Sequence, residues 1–437
     1  MVAFSNPLKA RLRMTQWKRN FIVLCGAQFL TLMGFSAYYP FIAFYVQELG
    51  VDTYAAALAW MAAFSTGGAV SMMIASPIWG SLADRFGRKP MVVRATFASA
   101  LIAFGYSIAQ TPSQLLILRI AQGFLAGTIS ASQTLIASEV PEKNLGRSLG
   151  TMQTVQYVSQ ALGPLLGGFA ADILGYRNVF IISGCMTLIS GVSVTALVRE
   201  SFVPTVRVVK RVRLRLGRQD LSSAISRSTL ALLATRAGSG FAITVMSSVL
   251  SLYIQSLDPG NPRLATLAGA VNSVSAVTSS GAAFAAGYLG DRFGQKTVLQ
   301  ACTIGATLIY IPQAFVGSVN HLLLLRAVQG LFLGGMLPTV SALLAQSSPP
   351  DKRGVVFGLA TSAAAGGQAI GPALGAAAAN AWGMPSTFLV TASIYAMLAG
   401  LVAALVPARF SQRANQEEPE REVALEEVNG ETGANGS

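Results

Sequence analysis

Long stretches without a charged side chain constrain the fold of this chain more than any other feature. A helix needs about 20 apolar residues to cross a bilayer, and ten uncharged windows come close to or exceed that length. They are residues 20–47, 53–83, 95–118, 120–138, 148–171, 178–198, 237–257, 264–290, 297–325 and 327–350. An eleventh window, 354–408, is more than twice as long and has a break at 380–385 (NAWGMP), so it predicts two helices. The sequence therefore predicts twelve membrane spans.

The length of these windows also decides between the two kinds of structure that cross a bilayer. Because the bilayer core holds no water, only helices and closed β-barrels satisfy their backbone hydrogen bonds there. Barrel strands alternate apolar and polar residues over about ten positions, which uncharged windows of this length do not do. Charged residues make up 11% of the chain, against about a quarter in soluble domains. We predict an all-α polytopic membrane protein.

An internal repeat divides the twelve spans into two sets of six. Residues 80–89 (GSLADRFGRK) and 287–296 (GYLGDRFGQK) are alike and lie 207 positions apart. Repeats in the same orientation imply two six-helix bundles related by pseudo-twofold symmetry about an axis along the membrane normal, with a substrate path between them. Three further pairs repeat at an offset of 207 or 208 residues, namely 119–123 with 326–330, 163–164 with 371–372, and 44–47 with 252–255.

The basic residues predict how the chain lies in the membrane. If the N-terminus is cytoplasmic, 26 of the 31 Lys and Arg fall on the cytoplasmic side, and only Arg177 and Arg263 fall on the outer side. This asymmetry follows the positive-inside rule and places both termini in the cytoplasm. We therefore interpret the net charge of +13 as a topology signal rather than as a nucleic-acid-binding surface.

These observations predict five segments. Residues 1–19 form a cytoplasmic N-terminal segment, 20–198 the first bundle and 229–408 the second bundle. The basic segment 199–228 joins the bundles and suits the anionic cytoplasmic leaflet. Residues 409–437 are acidic with few large apolar groups, and we expect them to be disordered.

The sequence offers no catalytic or metal-binding constellation. Cys25, Cys185 and Cys302 fall in separate spans, and His321 is the sole histidine. No nucleophile has a base at a recognisable spacing, so we predict that the chain is not an enzyme. The same absence predicts no metal and no organic cofactor.

Three motifs in the first half carry a family resemblance. Residues 80–89, 115–123 and 150–168 resemble the loop 2–3, span 4 and span 5 signatures of the major facilitator superfamily, and more narrowly of its twelve-span drug:proton antiporters. In the span 5 signature Ser159 replaces a glycine. The opening residues 17–21 and the order of the motifs most resemble MdtG-type bacterial multidrug exporters. The resemblance implies a multi-pass protein of the bacterial inner membrane that confers antibiotic resistance and exports amphiphilic small molecules in exchange for protons, with the proton gradient as its only energy source. We expect a monomer in the lipid bilayer.

The resemblance also implies gating and coupling residues. It gives Asp84 the role of holding the two halves together on the cytoplasmic side, through Arg88, Glu139 and the start of span 11, and it gives Arg119 the role of coupling proton movement to substrate movement. Asp291 repeats Asp84. A static loop clamp is the alternative role for the Asp84 network. The full candidate set is Asp84, Arg85, Arg88, Arg119, Glu139, Asp291, Gly163, Pro164, Gly371 and Pro372.

Three arginines lie within predicted spans, where an arginine costs about 2.5–3.5 kcal/mol on insertion scales. Arg119 is expected to face the interior of the first bundle, on a polar face that continues to Gln133. Arg326 is its repeat mate and has the weaker claim to function. Arg236 opens span 7, and we expect it to reach the cytoplasmic surface.

Small residues predict the moving parts. Glycines let helices approach closely, and a proline bends a helix by removing a backbone donor. The matching pairs Gly163-Pro164 and Gly371-Pro372 therefore predict that spans 5 and 11 form a bent, close-packed seam between the bundles.

The substrate site is predicted from aromatic, polar and flexible side chains within the spans. No Asp or Glu lies deep in any span, which favours neutral or anionic substrates over cations and leaves Asp84 or Glu139 as proton carriers. A uniporter or symporter for a small nutrient shares the predicted fold and is the main alternative; a non-transporting receptor is a further one. The substrate candidates are Tyr38, Tyr39, Phe41, Gln133, Gln156, Tyr157, Gln160, Asn272, Met336 and Gln368.

Overall fold

The computed structural model describes residues 16–125, 127–200, 226–348 and 353–407, and the regular secondary structure in these ranges is helical throughout. Most of the predicted N-terminal segment, linker and tail therefore lie outside the described residues. The first half contains span 1 (Gln16–Tyr38, a 3-10 turn Tyr39–Phe41 and Ile42–Glu48), span 2 (Tyr54–Phe86), span 3 (Arg88–Ile108), span 4 (Pro112–Leu125 and Thr128–Glu139), span 5 (Glu142–Leu174) and span 6 (Tyr176–Leu197).

The second half repeats this order. It contains span 7 (Arg227–Ser247 and Leu250–Leu257), span 8 (Leu264–Phe293), span 9 (Gln295–Gln313), span 10 (Val319–Ser347), span 11 (Arg353–Trp382) and span 12 (Ser386–Leu405). Within the described ranges, seven of these spans (1, 2, 3, 6, 7, 10 and 12) contain stretches long and apolar enough to cross a membrane on composition alone. The other five pack among them.

Single glycines make the sharpest turns between helices. Gly87 separates spans 2 and 3 with φ of 98°, and Gly294, the equivalent residue of the second half, separates spans 8 and 9 with φ of 88°. Residues with a Cβ rarely adopt this region, so glycine is required there. The turn between spans 2 and 3 therefore rests on Gly87, while Gly80 of the same motif lies inside the helix of span 2.

Equivalent tyrosines confirm that the two halves share one structure. The Tyr45 hydroxyl of span 1 donates to the Tyr106 carbonyl oxygen at 3.2 Å. The Tyr253 hydroxyl of span 7 donates to the Gln313 carbonyl oxygen, also at 3.2 Å. Each pair lies 207 or 208 positions from its counterpart, so the sequence repeat is a structural repeat.

Span 4 departs from the prediction of one continuous helix. Gly127 has φ of 112° and separates two helices, Pro112–Leu125 and Thr128–Glu139. The boundary between spans 3 and 4 also lies at residues 109–111 rather than at Arg119. Arg119 is thus inside the first helix of span 4, and the polar face expected to run on to Gln133 is interrupted at the glycine.

One end of the molecule, which we call the basic face, holds the start of span 1, the end of span 6 and the start of span 7. There the Asn20 side chain donates to the Arg199 carbonyl oxygen at 2.7 Å. The Glu200 carboxylate accepts hydrogen bonds from the backbone N–H groups of Arg88 and Lys89 at 2.8 and 2.9 Å. A carboxylate at a helix N-terminus satisfies free N–H groups and complements the helix dipole. Glu200 therefore fastens span 3 to the end of span 6.

The seam between the halves differs from the predicted pairing of spans 5 and 11. Span 5 packs along span 8, and span 2 packs along span 11. Spans 5 and 11 each also pack on a helix of their own half, span 5 on span 1 and span 11 on span 7. The interface between the halves therefore consists of two helix pairs, spans 5 and 8 and spans 2 and 11. Spans 5 and 11 each pack within their own half on one face and against the other half on a different face.

Candidate functional site

A cavity of about 630 Å³ lies between the two halves. Spans 1 and 5 contribute to its wall from the first half, and spans 7, 8 and 10 from the second. We call it the central cavity. Its apolar wall includes Leu32, Phe35, Ile243, Leu333 and Leu337. A concave site with a mostly apolar wall and few polar groups is the usual form of a small-molecule site.

Five of the ten predicted substrate residues line the central cavity. They come from both halves, since Tyr39, Tyr157 and Gln160 belong to spans 1 and 5, and Asn272 and Met336 to spans 8 and 10. Pro164, a predicted hinge residue, lines it as well.

The other five predicted substrate residues lie elsewhere. Phe41 is fully buried and its ring stacks on Tyr176 at 5.1 Å between centroids, so it belongs to the hydrophobic core of the first half. Tyr38 lines a smaller cavity of about 320 Å³ inside the first half, which we call the side cavity. Gln133, Gln156 and Gln368 line neither cavity. Gln156 is buried, Gln133 is partly buried and Gln368 is exposed, and their spacing on a helix could not reveal this difference.

Arg119 lies in the side cavity and has several partners. Its Nη1 donates to Gln122 Oε1 at 2.8 Å, and its guanidinium lies 5.4 and 5.2 Å from the ring centroids of Phe35 and Phe64. Gln122 Nε2 in turn donates to the Tyr38 hydroxyl at 2.9 Å. Cation–π contacts and hydrogen bonds offset the burial of a charge. The predicted interior position of Arg119 is therefore what the structure shows.

Arg326 and Arg236 lie in the central cavity, which the sequence reasoning did not anticipate. Arg326 is 7% exposed. Arg236 is nine residues into span 7 and lines the cavity, so the expectation that it reaches the cytoplasmic surface is wrong. Of the described residues that line the central cavity, none is an Asp or a Glu. The cavity wall therefore carries two cations and no anion.

The glycines of the predicted glycine-proline pairs pack within their own half, whereas Pro164 also contacts the other half. A Cβ at Gly163 would clash with Ser36 of span 1, and a Cβ at Gly371 would clash with Thr244 of span 7. These contacts are equivalent across the repeat and lie within one half each. The close approaches between the halves instead involve Gly168 and Gly269, which face the carbonyl oxygens of Ala265 and Pro164 respectively.

The described hydrogen bonds between the halves all lie in the part of the molecule away from the basic face. The Asp172 carboxylate at the end of span 5 accepts from the backbone N–H groups of Ala265 and Thr266, at 3.2 and 2.8 Å, and caps span 8. Asp172 is not among the site residues predicted from the sequence. The remaining bonds are Thr266 Oγ1 to Asp172 Oδ2 at 2.5 Å, Leu165 N to Ser273 Oγ at 3.0 Å, Thr66 Oγ1 to the Ala369 carbonyl at 3.0 Å, and Ser251 Oγ to the Pro40 carbonyl.

The predicted charge network at the basic face is only partly described. The side chain of Asp84 and the residues before Arg353 lie outside what the structure describes. Glu139 ends the second helix of span 4, and Asp291 is exposed near the end of span 8. The Arg85 guanidinium lies over the ring of its neighbour Phe86, at 5.4 Å from the centroid. Arg88 begins span 3 beside Glu200, so Glu200 is the partner at this turn that the motif did not include.

Two sequence signals could have located the missed residues. Arg326 shares the Arg-x-x-Gln-Gly pattern of Arg119, which places both at the same depth of their halves. Arg236 lies at the edge of an uncharged window. Because the prediction ended each span at a charged residue, it placed Arg236 at the cytoplasmic surface. Glu200 and Asp172 carry no local signal, because each caps a helix that is distant in sequence.

Comparisons with known proteins agree with this architecture. The family model of the Major Facilitator Superfamily matches residues 24–271 and 262–428. The chain is 35% identical over 378 residues to multidrug resistance protein MdtG of Salmonella paratyphi B, which covers 86% of this chain and 93% of that protein. It is 34% identical over 379 residues to the MdtG protein of Dickeya zeae, covering 86% and 92%.

Solved structures with the same fold are more distant in sequence. The crystal structure of the nucleoside transporter NupG superposes with a TM-score of 0.73 at 14% identity, covering 89% of this chain and all of the other. A bacterial homolog of the human lysosomal transporter Spinster, in an inward-facing and occupied conformation, gives a TM-score of 0.71 at 12% identity and covers 92% of this chain and 98% of the other. These similarities support the fold.

Proposed function

Because this chain belongs to the Major Facilitator Superfamily, and is therefore an integral membrane transporter and not an enzyme, we propose that it exports amphiphilic small molecules from the cell in exchange for protons. The relatives that are 35% identical to it over 378 residues are named multidrug resistance proteins, which supports export of several compounds rather than uptake of one nutrient. The proposed location is the inner membrane with both termini cytoplasmic.

The central cavity is the observation that carries this proposal. It lies between two equivalent halves and is walled by both of them. The described bonds between the halves lie only in the part of the molecule away from the basic face. With the basic face cytoplasmic, these bonds close the outer side of the cavity, which supports a state that receives a substrate from the cytoplasm. Export then requires these bonds to break while the halves approach each other at the basic face.

The seam of spans 5 and 8 is suited to such a movement. Gly168 and Gly269 allow the two backbones to touch, and small residues at a helix interface permit close packing without long interdigitating side chains. The Asp172 cap on span 8 is partly buried at the outer end of the seam in this topology, so water can replace its hydrogen bonds when the seam opens. When the halves rock, hydrogen bonds within the protein are therefore replaced by hydrogen bonds to water of similar free energy.

Proton coupling is proposed to involve Arg119 and an acid at the basic face. Arg119, Gln122 and Tyr38 form a buried chain of hydrogen bonds beside the central cavity, and Phe35 lines both cavities. A proton-dependent change in this chain can therefore reach the substrate through Phe35. Asp84 and Glu139 are the proposed proton carriers. If Asp84→Asn and Glu139→Gln both retain full dependence on the pH gradient, neither acid carries the proton.

A susceptibility panel in an efflux-deficient bacterial host tests the proposal. The panel contains cationic dyes, neutral lipophiles and anionic amphiphiles, with and without an uncoupler. Expression of the chain is expected to lower the accumulation of at least one class, and the uncoupler is expected to abolish that difference. Arg119→Gln is expected to weaken the dependence on the proton gradient. Unchanged accumulation of every compound, or export that the uncoupler does not affect, would contradict proton-driven efflux.

A further inference from the structure

We propose that Arg326 and Arg236 form an anion-binding site in the central cavity, which holds the negatively charged head of an amphiphilic substrate. The inference rests on the proposed function, because it assumes that the central cavity holds the transported molecule. It adds the chemical class of that molecule and the residues that select it.

The burial of Arg326 and its missing hydrogen bonds are the first observation that supports this site. Its side chain is 7% exposed, and its Nε and Nη2 are buried without a hydrogen-bond partner among the described residues. A guanidinium stays protonated in proteins, and a buried charge without a counter-charge or hydrogen bonds costs several kcal/mol. A ligand that supplies the missing hydrogen-bond acceptors offsets this cost.

The internal repeat shows that Arg326 has fewer partners than its counterpart Arg119, of which only Nε is buried without a described partner. In the first half, Gln122 Oε1 accepts a hydrogen bond from Arg119. In the second half, the equivalent Gln329 Oε1 accepts from Gln313 Nε2 at 2.9 Å, and its Nε2 donates to the Tyr310 hydroxyl at 3.0 Å. Both glutamines are engaged by neighbours, since Gln122 Oε1 also accepts from the Tyr106 hydroxyl at 3.2 Å. Only Gln122 has a described hydrogen bond to its arginine, and Arg326 keeps two buried donors without a described partner beside the cavity.

The surroundings of Arg326 define the ligand further. Arg236 supplies a second cation to the same cavity, and no acid is present among the described residues of its wall. A planar guanidinium binds carboxylate, sulfonate and phosphonate groups with two parallel hydrogen bonds. The remaining wall is largely apolar, with Leu32, Ile243 and Leu333 on it. The geometry therefore fits a molecule with an anionic head and an apolar body, and disfavours a lipophilic cation.

Binding of three probes with one shared aromatic body tests the site. The probes are naphthalene-sulfonate, naphthalene-methanol and naphthylmethyl-trimethylammonium, measured by calorimetry on the full chain in lipid nanodiscs. We expect the sulfonate to bind most tightly. Arg326→Gln is expected to weaken sulfonate binding at least tenfold and to change binding of the alcohol less than twofold. Arg326→Lys keeps the charge without the planar fork and is expected to lie between. Arg199→Gln removes an exposed cation at the basic face and is the matched control.

A stability measurement separates a binding role from a structural one. Removing an unpaired buried charge relieves a penalty, so Arg326→Gln without ligand is expected to melt at a higher temperature than the wild type. The sulfonate is expected to raise the melting temperature of the wild type and not of the variant. A variant that melts lower without ligand, and still binds the sulfonate normally, would overturn the proposal.

Two further outcomes identify which claim fails. If inorganic sulfate alone displaces the sulfonate probe at equal concentration, the site takes a small inorganic anion and the amphiphile proposal is wrong. If the alcohol and the trimethylammonium probe are transported while Arg326→Gln and Arg236→Gln leave the sulfonate unaffected, transport stands and the anion site is refuted. If proteoliposomes move none of the three under any gradient, the proposed function fails with it. If Arg326→Gln does not fold, the same binding measurements on Arg236→Gln test the site.

Discussion

Replacing Gly269 by alanine is expected to shift the balance between the two states of the transporter. A Cβ at this position would clash with the Pro164 carbonyl oxygen of span 5, and it would lie 3.2 Å from the Leu165 Cα. Both neighbours are backbone atoms, so no side chain can move aside and the two helices must separate. Overpacking of this kind costs about 1–3 kcal/mol. It acts only on the state in which spans 5 and 8 touch.

The helix-forming gain of alanine over glycine, about 1 kcal/mol, is present in both states and cancels. The net shift of about 1–3 kcal/mol corresponds to roughly a 5- to 150-fold change in the ratio of the two states. Gly281 of the same span has open space around it. Gly281→Ala therefore provides a control with the same change of residue and no clash.

The assay measures access to the central cavity from the face opposite the basic face. A cysteine replaces Ser275, which lines the cavity, in a background without Cys25, Cys185 and Cys302. A membrane-impermeant thiol reagent is added to that opposite side. Gly269→Ala is expected to raise the labelling rate at least fivefold, and Gly281→Ala to leave it unchanged. Equal labelling rates in both variants would refute the argument that these glycines close the seam.

Three further substitutions follow from the hydrogen bonds described above. Asp172→Asn weakens the charge-assisted cap on span 8, so it is expected to raise the same labelling rate severalfold, whereas Asp52→Asn, an exposed acid on the same face, is not. Gln122→Ala removes the acceptor of Arg119 and the donor to Tyr38. Leaving buried groups unpaired costs about 1–3 kcal/mol, so the melting temperature is expected to fall. An unchanged melting temperature would show that this chain of hydrogen bonds contributes little to stability. Glu200→Gln is expected to lower the stability of the first half by about 1 kcal/mol through the weakened cap, measured as a lower denaturation temperature with unchanged substrate affinity; a change in affinity alone would point to a role in gating instead.

Much of the fold could be predicted because the repeat and the uncharged windows are properties of the sequence itself. The pair Gly87 and Gly294 marks the same turn in both halves, since only glycine adopts that backbone conformation. The site was harder to predict because it depends on which helix faces which. Gly163 and Gly168 are five residues apart on one helix, yet one packs within its half and the other across the seam. Spacing gives the angle between them and not the identity of the neighbour.

Arginine positions show a second limit of sequence reasoning. Arg119 and Arg326 are equivalent in the repeat, but among the described residues only Arg119 has a hydrogen-bond acceptor for its guanidinium. Gln313 occupies the repeat position of Tyr106, and both donate to the glutamine of the motif, but only Gln122 also accepts from its arginine. A contact of this kind between neighbouring spans is set by packing, and no local pattern in the sequence reports it.

Alternating access of a single cavity is the central claim of this account. It is tested by distances between spin labels in proteoliposomes, with one pair at Asp52→Cys and Arg263→Cys and the other at Lys18→Cys and Arg227→Cys. These exposed positions report on the two ends of the halves. In the presence of a pH gradient and a transported substrate, the first distance is expected to lengthen while the second shortens. Distances that stay constant, or that change in the same direction at both ends, would contradict rocking of the two halves about a shared cavity.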